Sequence, residues 1–381
     1  MRAGAAAAMI GPFREPLEDD GMNGLSYRED WVEARNRLAV WWNGGDLGRP
    51  ALSIGVKRET PRPCSTSAMP QPAGWVTGYS TKNEAYRVNV GVRACLDYDL
   101  YGEGVPNSSA GDLAPNCLAL YLGCHGVEMP GTVWCEPFIT DPAAARFDYD
   151  PDNFYWNFTL RVTRAVLART RGQFAQAFPD LIEGLDTLEA MRGGQTLLVD
   201  LLDRPEWVQA CLRQITDRYF RYYDVLYDLI RDEVGGSVFW AWAPGRMAKF
   251  QCDFSAMISK DMFGEFMVPV LREMTERVSY CMYHWDGPGA IQHHDHLLSI
   301  PRLTMLQWTP GAGAEPTSHR RWWPLYHKTL DAGKKLFIWA EDAGKLRELK
   351  QEFGTQLKGF YIGIGAASVA EARELLRIAE C

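Results

Sequence analysis

The sequence predicts an α/β fold: a (β/α)8 TIM barrel with an N-terminal helical extension and long loops in its first half. Two observations carry that expectation. From residue 195 onward at least five apolar runs each give way to a helical pattern. The runs are continuous rather than alternating, as in Leu303–Gly311 and Lys358–Gly365, which is the signature of parallel strands covered on both faces. The length of 381 residues suits a barrel of about 250 residues plus insertions.

Taken in order, residues 1–24 read as a disordered tail and 25–381 as one barrel unit. Trp31, Ala34, Leu38 and Trp41 recur at helical spacing, predicting a helix over Tyr27–Trp42 that stops at Asn43-Gly44-Gly45. Pro50–Arg58 reads as a first buried strand, and the proline-rich stretch 59–80 as a long loop. Short strands are expected at Cys117–Gly123 and Gly131–Ile139, and a helix over 152–176. QTLLVDLL then reads as an extended run leading into the helix Pro205–Gly235, which Pro205 opens. Strands follow at Gly236–Trp242, Val278–Gly287, Leu303–Gly311, Lys335–Asp342 and Lys358–Gly365. Between and after them come helices over Ser255–Arg277, Gln292–Leu298, Trp322–Ala332, Gly344–Phe353 and Val369–Ala379. The turn Gly363–Ser368 lacks the GxGxxG spacing of a dinucleotide site and lies at the wrong end of the chain.

The formal charge is -8, from 40 Lys plus Arg and 48 Asp plus Glu; nucleic-acid binding calls for a strong positive field instead. No run reaches the roughly 18 apolar residues of a membrane helix. The opening MRAGAAAAMIGPF has a short apolar stretch soon followed by Arg14 and Glu15 and reads as a tail rather than a leader. The nine cysteines form no CxxC and are odd in number, which fits reduced thiols in a cytoplasmic protein. Six of the seven histidines fall between His284 and His327, so the chemistry is expected in the C-terminal third.

A barrel collects its active groups at the C-terminal ends of its strands. His284 and Asp286 are the sharpest pair there, because alternation sends i and i+2 to one face. An imidazole beside a carboxylate can hold a divalent metal or act as acid and base. Arg246 is expected to grip an anionic group, and Asp253 to handle a proton, with helix capping as its bland rival. Glu341 is a third candidate ligand. Trp242, Trp308 and Trp339, with Trp240, are candidate walls. Consecutive residues in His293-His294-Asp295-His296 diverge by about 100° on a helix, so that tract reads as a solvated helix start.

Three segments carry a family resemblance. CDFSAMISKDMFGEFMVPVLREM, with Asp253, Ile258-Ser259, Phe263, Phe266 and Pro269, resembles the stretch of the uroporphyrinogen decarboxylase family in which a strand-end Asp precedes a Phe-x-x-Phe-x-x-Pro helix. YHWDGPGAIQHHDHLLSIPRLTMLQWTPG and MRGGQTLLVDLLDRPEWV resemble further stretches of the same superfamily, so that the likeness spans roughly residues 185–380. The resemblance implies a TIM barrel and one of the superfamily's chemistries: uroporphyrinogen decarboxylation, methyl transfer between corrinoid proteins and thiols, or cobalamin-independent methionine synthesis. Its methyltransferases hold zinc with a His-x-Cys pair and a later Cys. Here His284 is followed by Asp286 in place of Cys, and the last strand offers Gly365 and Ala366. The metal set is therefore expected to be harder and richer in oxygen, from His284, Asp286 and Glu341, for zinc or another divalent ion.

The leading expectation is methyl (one-carbon) transfer on a small-molecule substrate, with a corrinoid protein or a folate as partner. The alternatives are a lyase that decarboxylates or eliminates from a small carboxylate, a carbohydrate-processing enzyme using Glu136, Asp286 and Glu341, and a non-catalytic ligand-binding barrel.

Overall fold

The computed structural model describes residues 24–72, 83–129 and 132–381. The expected tail over 1–24 lies almost wholly outside the described residues, as does the end of the expected loop over 59–80.

The strands in chain order are β1 (Ala51–Lys57), β2 (Tyr98–Gly102), β3 (Asn107–Ser108), β4 (His125–Met129), β5 (Thr132–Glu136), β6 (Ala175–Gln176), β7 (Ser237–Phe239), β8 (Ala241–Ala243), β9 (Met247–Gln251), β10 (Tyr280–Asp286), β11 (Met305–Thr309), β12 (Lys335–Ala340) and β13 (Phe360–Ala366). The helices are α1 (Trp31–Trp42), α2 (Glu84–Val92), α3 (Cys117–Tyr121), α4 (Phe154–Thr170), α5 (Gly184–Arg192), α6 (Gly194–Asp203), α7 (Pro205–Ile230), α8 (Lys260–Glu276), α9 (His294–Leu298), α10 (Trp323–Asp331), α11 (Ala343–Phe353) and α12 (Val369–Ala379).

Seven strands form the central sheet, in the order β2-β1-β13-β12-β11-β10-β9. All its pairings are parallel except β1 with β2. From β9 to β13 each new strand is laid beside the last, with a helix between successive strands from β9 on. The last strand then pairs with the first, Ala51 facing Tyr361. This α/β architecture follows from the apolar runs: Leu306, Ile338 and Ile362 are each fully buried. Among the described residues the sheet does not close on itself. Beside it lie the short parallel pair β3–β6 and a single parallel bridge from Ala177 to Val238.

Three local expectations are corrected. Cys117–Gly123 is not a strand; Asn116 accepts from the Ala119 amide and caps the helix α3. QTLLVDLL is the helix α6, where Asp200 is buried and bridged by Arg192 and Arg204. The run Gly236–Trp242 is interrupted at Trp240, whose φ of 54° turns the chain back and makes the antiparallel hairpin β7–β8. The strand that enters the sheet at this point is β9, beginning after Arg246.

The N-terminal helix forms on its predicted face. Trp31, Ala34, Leu38, Trp41 and Trp42 are buried; Trp31 packs edge-on against Trp242 at 6.0 Å, and the Trp42 indole donates to the Trp242 carbonyl at 2.7 Å.

Candidate functional site

A row of side chains crosses three adjacent strands. Gln251 of β9 pairs in register with His284 of β10, and His284 with Gln307 of β11. Strand alternation sends Asp286 to the same face, while Trp285 between them is fully buried and packs on Trp308 at 4.7 Å. The pair expected from i, i+2 spacing therefore meets: His284 Nε2 lies 3.8 Å from Asp286 Oδ2. Asp253 joins them from the 3-10 turn that follows β9. One ligand atom each from Asp253, His284 and Asp286 can be chosen so that all lie within 4.8 Å of one another.

The imidazole is oriented by its second nitrogen. Gln307 is fully buried, and its amide nitrogen donates to the Trp308 carbonyl at 3.0 Å and to Thr309 Oγ1 at 2.8 Å. Its oxygen is thereby turned to His284 Nδ1. An amide oxygen only accepts, so Nδ1 carries the proton and Nε2 faces the two carboxylates with a lone pair or a second proton. Either a proton on Nε2 or a cation between the groups offsets that contact, and Asp286 Oδ1 is a buried oxygen without a hydrogen-bond partner. The set of two carboxylates and one oriented imidazole fits a divalent ion of harder character than a thiolate site selects.

Further acids stand behind this cluster, and sequence reasoning missed them. Asp186 accepts from the amides of Asp253 at 2.8 Å and Phe254 at 2.9 Å, tying the turn to α5. Burial, with the neighbouring Asp253 charge, pushes Asp186 up to about 7. Glu183 is fully buried, accepts from the Gln251 amide at 2.8 Å, and is raised by burial. Asp253 is exposed as a residue, but desolvation of its carboxyl raises its proton affinity; His284 opposes that shift and Asp286 adds to it. The one legible signal was three acids, Asp180, Glu183 and Asp186, in a largely apolar stretch. Lys249 was missed for the same reason: it is a lone charge inside the buried strand β9.

Trp240 packs edge-on over His284 with ring centroids 5.5 Å apart, yet remains 41% exposed. A cavity of about 480 Å³ reaches the cluster at Asp253; its lining includes Gln251, Asp186, Glu189, Phe254 and Trp134 but not Trp240, His284 or Asp286. Asn116 and Ile182 also line it, and both have positive φ, as Trp240 does. Left-handed backbone at non-glycine residues is costly and gathers at functional sites.

The structure places several predicted residues elsewhere. Arg246 precedes β9 at the opposite end of the strand from Asp253; it pairs with Asp224 and lies over the Tyr223 and Tyr227 rings. The cause is the turn at Trp240, which reverses the chain before the sheet strand begins. Trp242 is buried, and its indole donates to Asp232 at 2.7 Å. Trp308 is fully buried between Trp285 and Trp322, because it sits on the helix-facing side of β11. Glu341 accepts from Ser318 Oγ instead of joining the cluster; two strand spacings separate β12 from β10, about 10 Å. Glu136 ends the separate hairpin β4–β5 and is not part of the cluster formed by Asp253, His284 and Asp286. Trp339 fits a wall: it is 43% exposed and lies against Phe337 at 4.7 Å, and Phe337 pairs with Gln307.

The histidine tract is mostly core. His293 stacks on Phe263 at 4.4 Å and holds the Ser255 carbonyl at 2.9 Å; His294 lies against Trp285 at 4.5 Å and donates to Thr329 at 2.9 Å. Only Asp295 turns outward, to Lys260 and Lys328. The nine cysteines are all unpaired.

No family model matches the chain, and no curated protein does. Among solved structures, a methyltransferase from Methanosarcina mazei has a similar fold, with a TM-score of 0.55 at 11% identity, covering 91% of this chain and 98% of that one. Among the described residues, no helix is long and apolar enough to cross a membrane.

Proposed function

We propose that the chain is a methyl- (one-carbon-) transferring enzyme whose acceptor is activated at Asp253, His284 and Asp286, with a divalent cation held by those three side chains and a corrinoid protein or a folate as methyl partner. One observation carries the reading: the Nε2 of His284, turned by Gln307, converges with two carboxylates, one of which, Asp253, lines a cavity. The fold likeness to a methyltransferase supports it.

When bound, a cation at these ligands supplies Lewis acidity, lowering the pKa of a thiol or hydroxyl that reaches it. The chain's own groups do the rest. Gln251 donates to Asp253 Oδ2 at 3.0 Å, which steadies the carboxylate that would hold the cation. Trp240 screens the imidazole from water on one side, and Trp339 offers a flat wall at the edge. The same reading takes residues 25–381 as a single (β/α)8 barrel of the uroporphyrinogen decarboxylase-like superfamily working in the cytoplasm. The pair β3–β6 and the Ala177–Val238 bridge support the barrel as the remaining wall segments.

The test is methyl transfer from a panel of methylated corrinoid and folate donors to thiol acceptors, with the wild-type protein and His284→Ala. Turnover by the wild type and a loss of about 10²-fold or more in the variant is the expected result. Equal background rates in both contradict it.

A lyase acting on a small carboxylate has one observation in its favour, the raised Asp253 as a proton donor. Its expected anchor, Arg246, lies outside the site. Carbon dioxide release in the absence of any methyl acceptor separates this reading from the first.

A further inference from the structure

We infer that Lys249 is a positioning residue for the Asp253–His284–Asp286 centre, acting on Asp253 through the side chain of Gln251. The inference rests on the reading of that centre as a divalent-cation site.

Lys249 is 3% exposed, in the middle of β9 and two residues before Gln251. Alternation puts both on the same face of the strand. Burying an ammonium group is costly unless it is paired, and Lys249 is paired on two sides. Its Nζ forms an ion pair with Asp180 and donates to Gln251 Oε1. The rings of Phe239 and Trp240 stand 5.3 and 5.9 Å from the same nitrogen, near enough for a cation–π contribution.

The consequence falls on Gln251. An ammonium only donates, so it claims the amide oxygen. The amide nitrogen must then point the other way, and it donates to Asp253 Oδ2 at 3.0 Å. Lys249 thus selects one of two amide orientations. The rejected one would set an amide oxygen against a carboxylate. The backbone amide of Gln251 is fixed separately by Glu183, so the side-chain link can be cut without releasing the strand.

This makes the centre symmetrical in its logic. Gln307 orients the imidazole from one neighbouring strand, and Gln251 orients a carboxylate from the other, both in register with His284. Each glutamine is oriented by a further partner: the Trp308 carbonyl and Thr309 for Gln307, and Lys249 for Gln251. Partners of this kind commonly affect metal affinity by about 10- to 100-fold.

The experiment measures Mn²⁺ and Zn²⁺ dissociation constants by chelator competition, alongside Tm, for the wild type and three variants. Lys249→Met/Asp180→Asn removes both charges of the ion pair together, so neither partner of the pair is left without the other. Gln251→Met cuts the link and leaves the ion pair. Lys249→Arg keeps a charged donor. The expected result is a loss of about 10- to 100-fold in affinity for the first two, with Tm close to that of the wild type, and partial recovery in Lys249→Arg. Wild-type affinity in the double variant, or a loss confined to Gln251→Met, overturns the role of Lys249 while leaving the cation site standing. Absence of binding by the wild type overturns the site and this inference together.

Discussion

Gln307 and His284 face each other across β11 and β10, and the glutamine decides which imidazole nitrogen is left to face Asp253 and Asp286. The amide has no freedom to reverse, because both its hydrogens are engaged by the Trp308 carbonyl and Thr309. Gln307→Leu removes the acceptor for Nδ1–H and frees the other tautomer. Divalent-ion affinity is expected to fall by about 10- to 100-fold with little change in secondary structure. Isothermal titration with Zn²⁺ checks it; unchanged affinity refutes the orienting role.

Trp240 couples strain to position. Its φ of 54° costs on the order of 1–3 kcal/mol at a bulky residue, and its ring lies over His284. Glycine takes that backbone freely. Trp240→Gly is therefore expected to keep or raise Tm while methyl-transfer turnover falls at least tenfold, on the order of 1.4 kcal/mol of barrier. A large drop in Tm would show that the ring is held for packing alone.

His294 makes stability depend on pH. Burial, with nearby Lys328, depresses it from 6.5 to about 4. Between those values the unfolded chain binds a proton that the folded chain refuses, so stability falls as pH drops from about 6.5 to about 4. The side chain is 3% exposed, and its share of the loss is of order 2–3 kcal/mol. Denaturant unfolding at pH 7.5 and pH 5 measures it. In His294→Gln the loss between those two pH values is expected to be smaller by a measurable part of that amount; an identical loss in both proteins would assign the effect to other groups.

From Val278 onward the fold was legible because each apolar run had one repeat, strand then helix, and nothing interrupted it. The part before it was not. Cys117–Tyr121 and QTLLVDLL are as apolar as strands, and their helical state is set by a cap at Asn116 and by packing rather than by period. Trp240 decided most of the remainder: a left-handed tryptophan cannot be read from neighbouring residues, and overlooking it moved Arg246 to the wrong end of its strand. His284 and Asp286 were legible because a two-residue repeat is geometry. Asp186, Glu183 and Lys249 were not, since they approach from segments whose sequence gives no strand-end signal. The buried tryptophans were misassigned by side: Trp308 is one residue away from Gln307, and one residue is the difference between the two faces of a sheet.

The most direct test of the central claim is the divalent-ion stoichiometry of the purified chain, by elemental analysis and by titration of chelator-treated protein. The wild type should bind a single ion per chain, and Asp253→Asn, Asp286→Asn and His284→Ala should each weaken or abolish that binding while remaining folded. Wild-type protein that takes up no divalent ion, or variants that bind it undiminished, would contradict the claim that these three side chains form one centre.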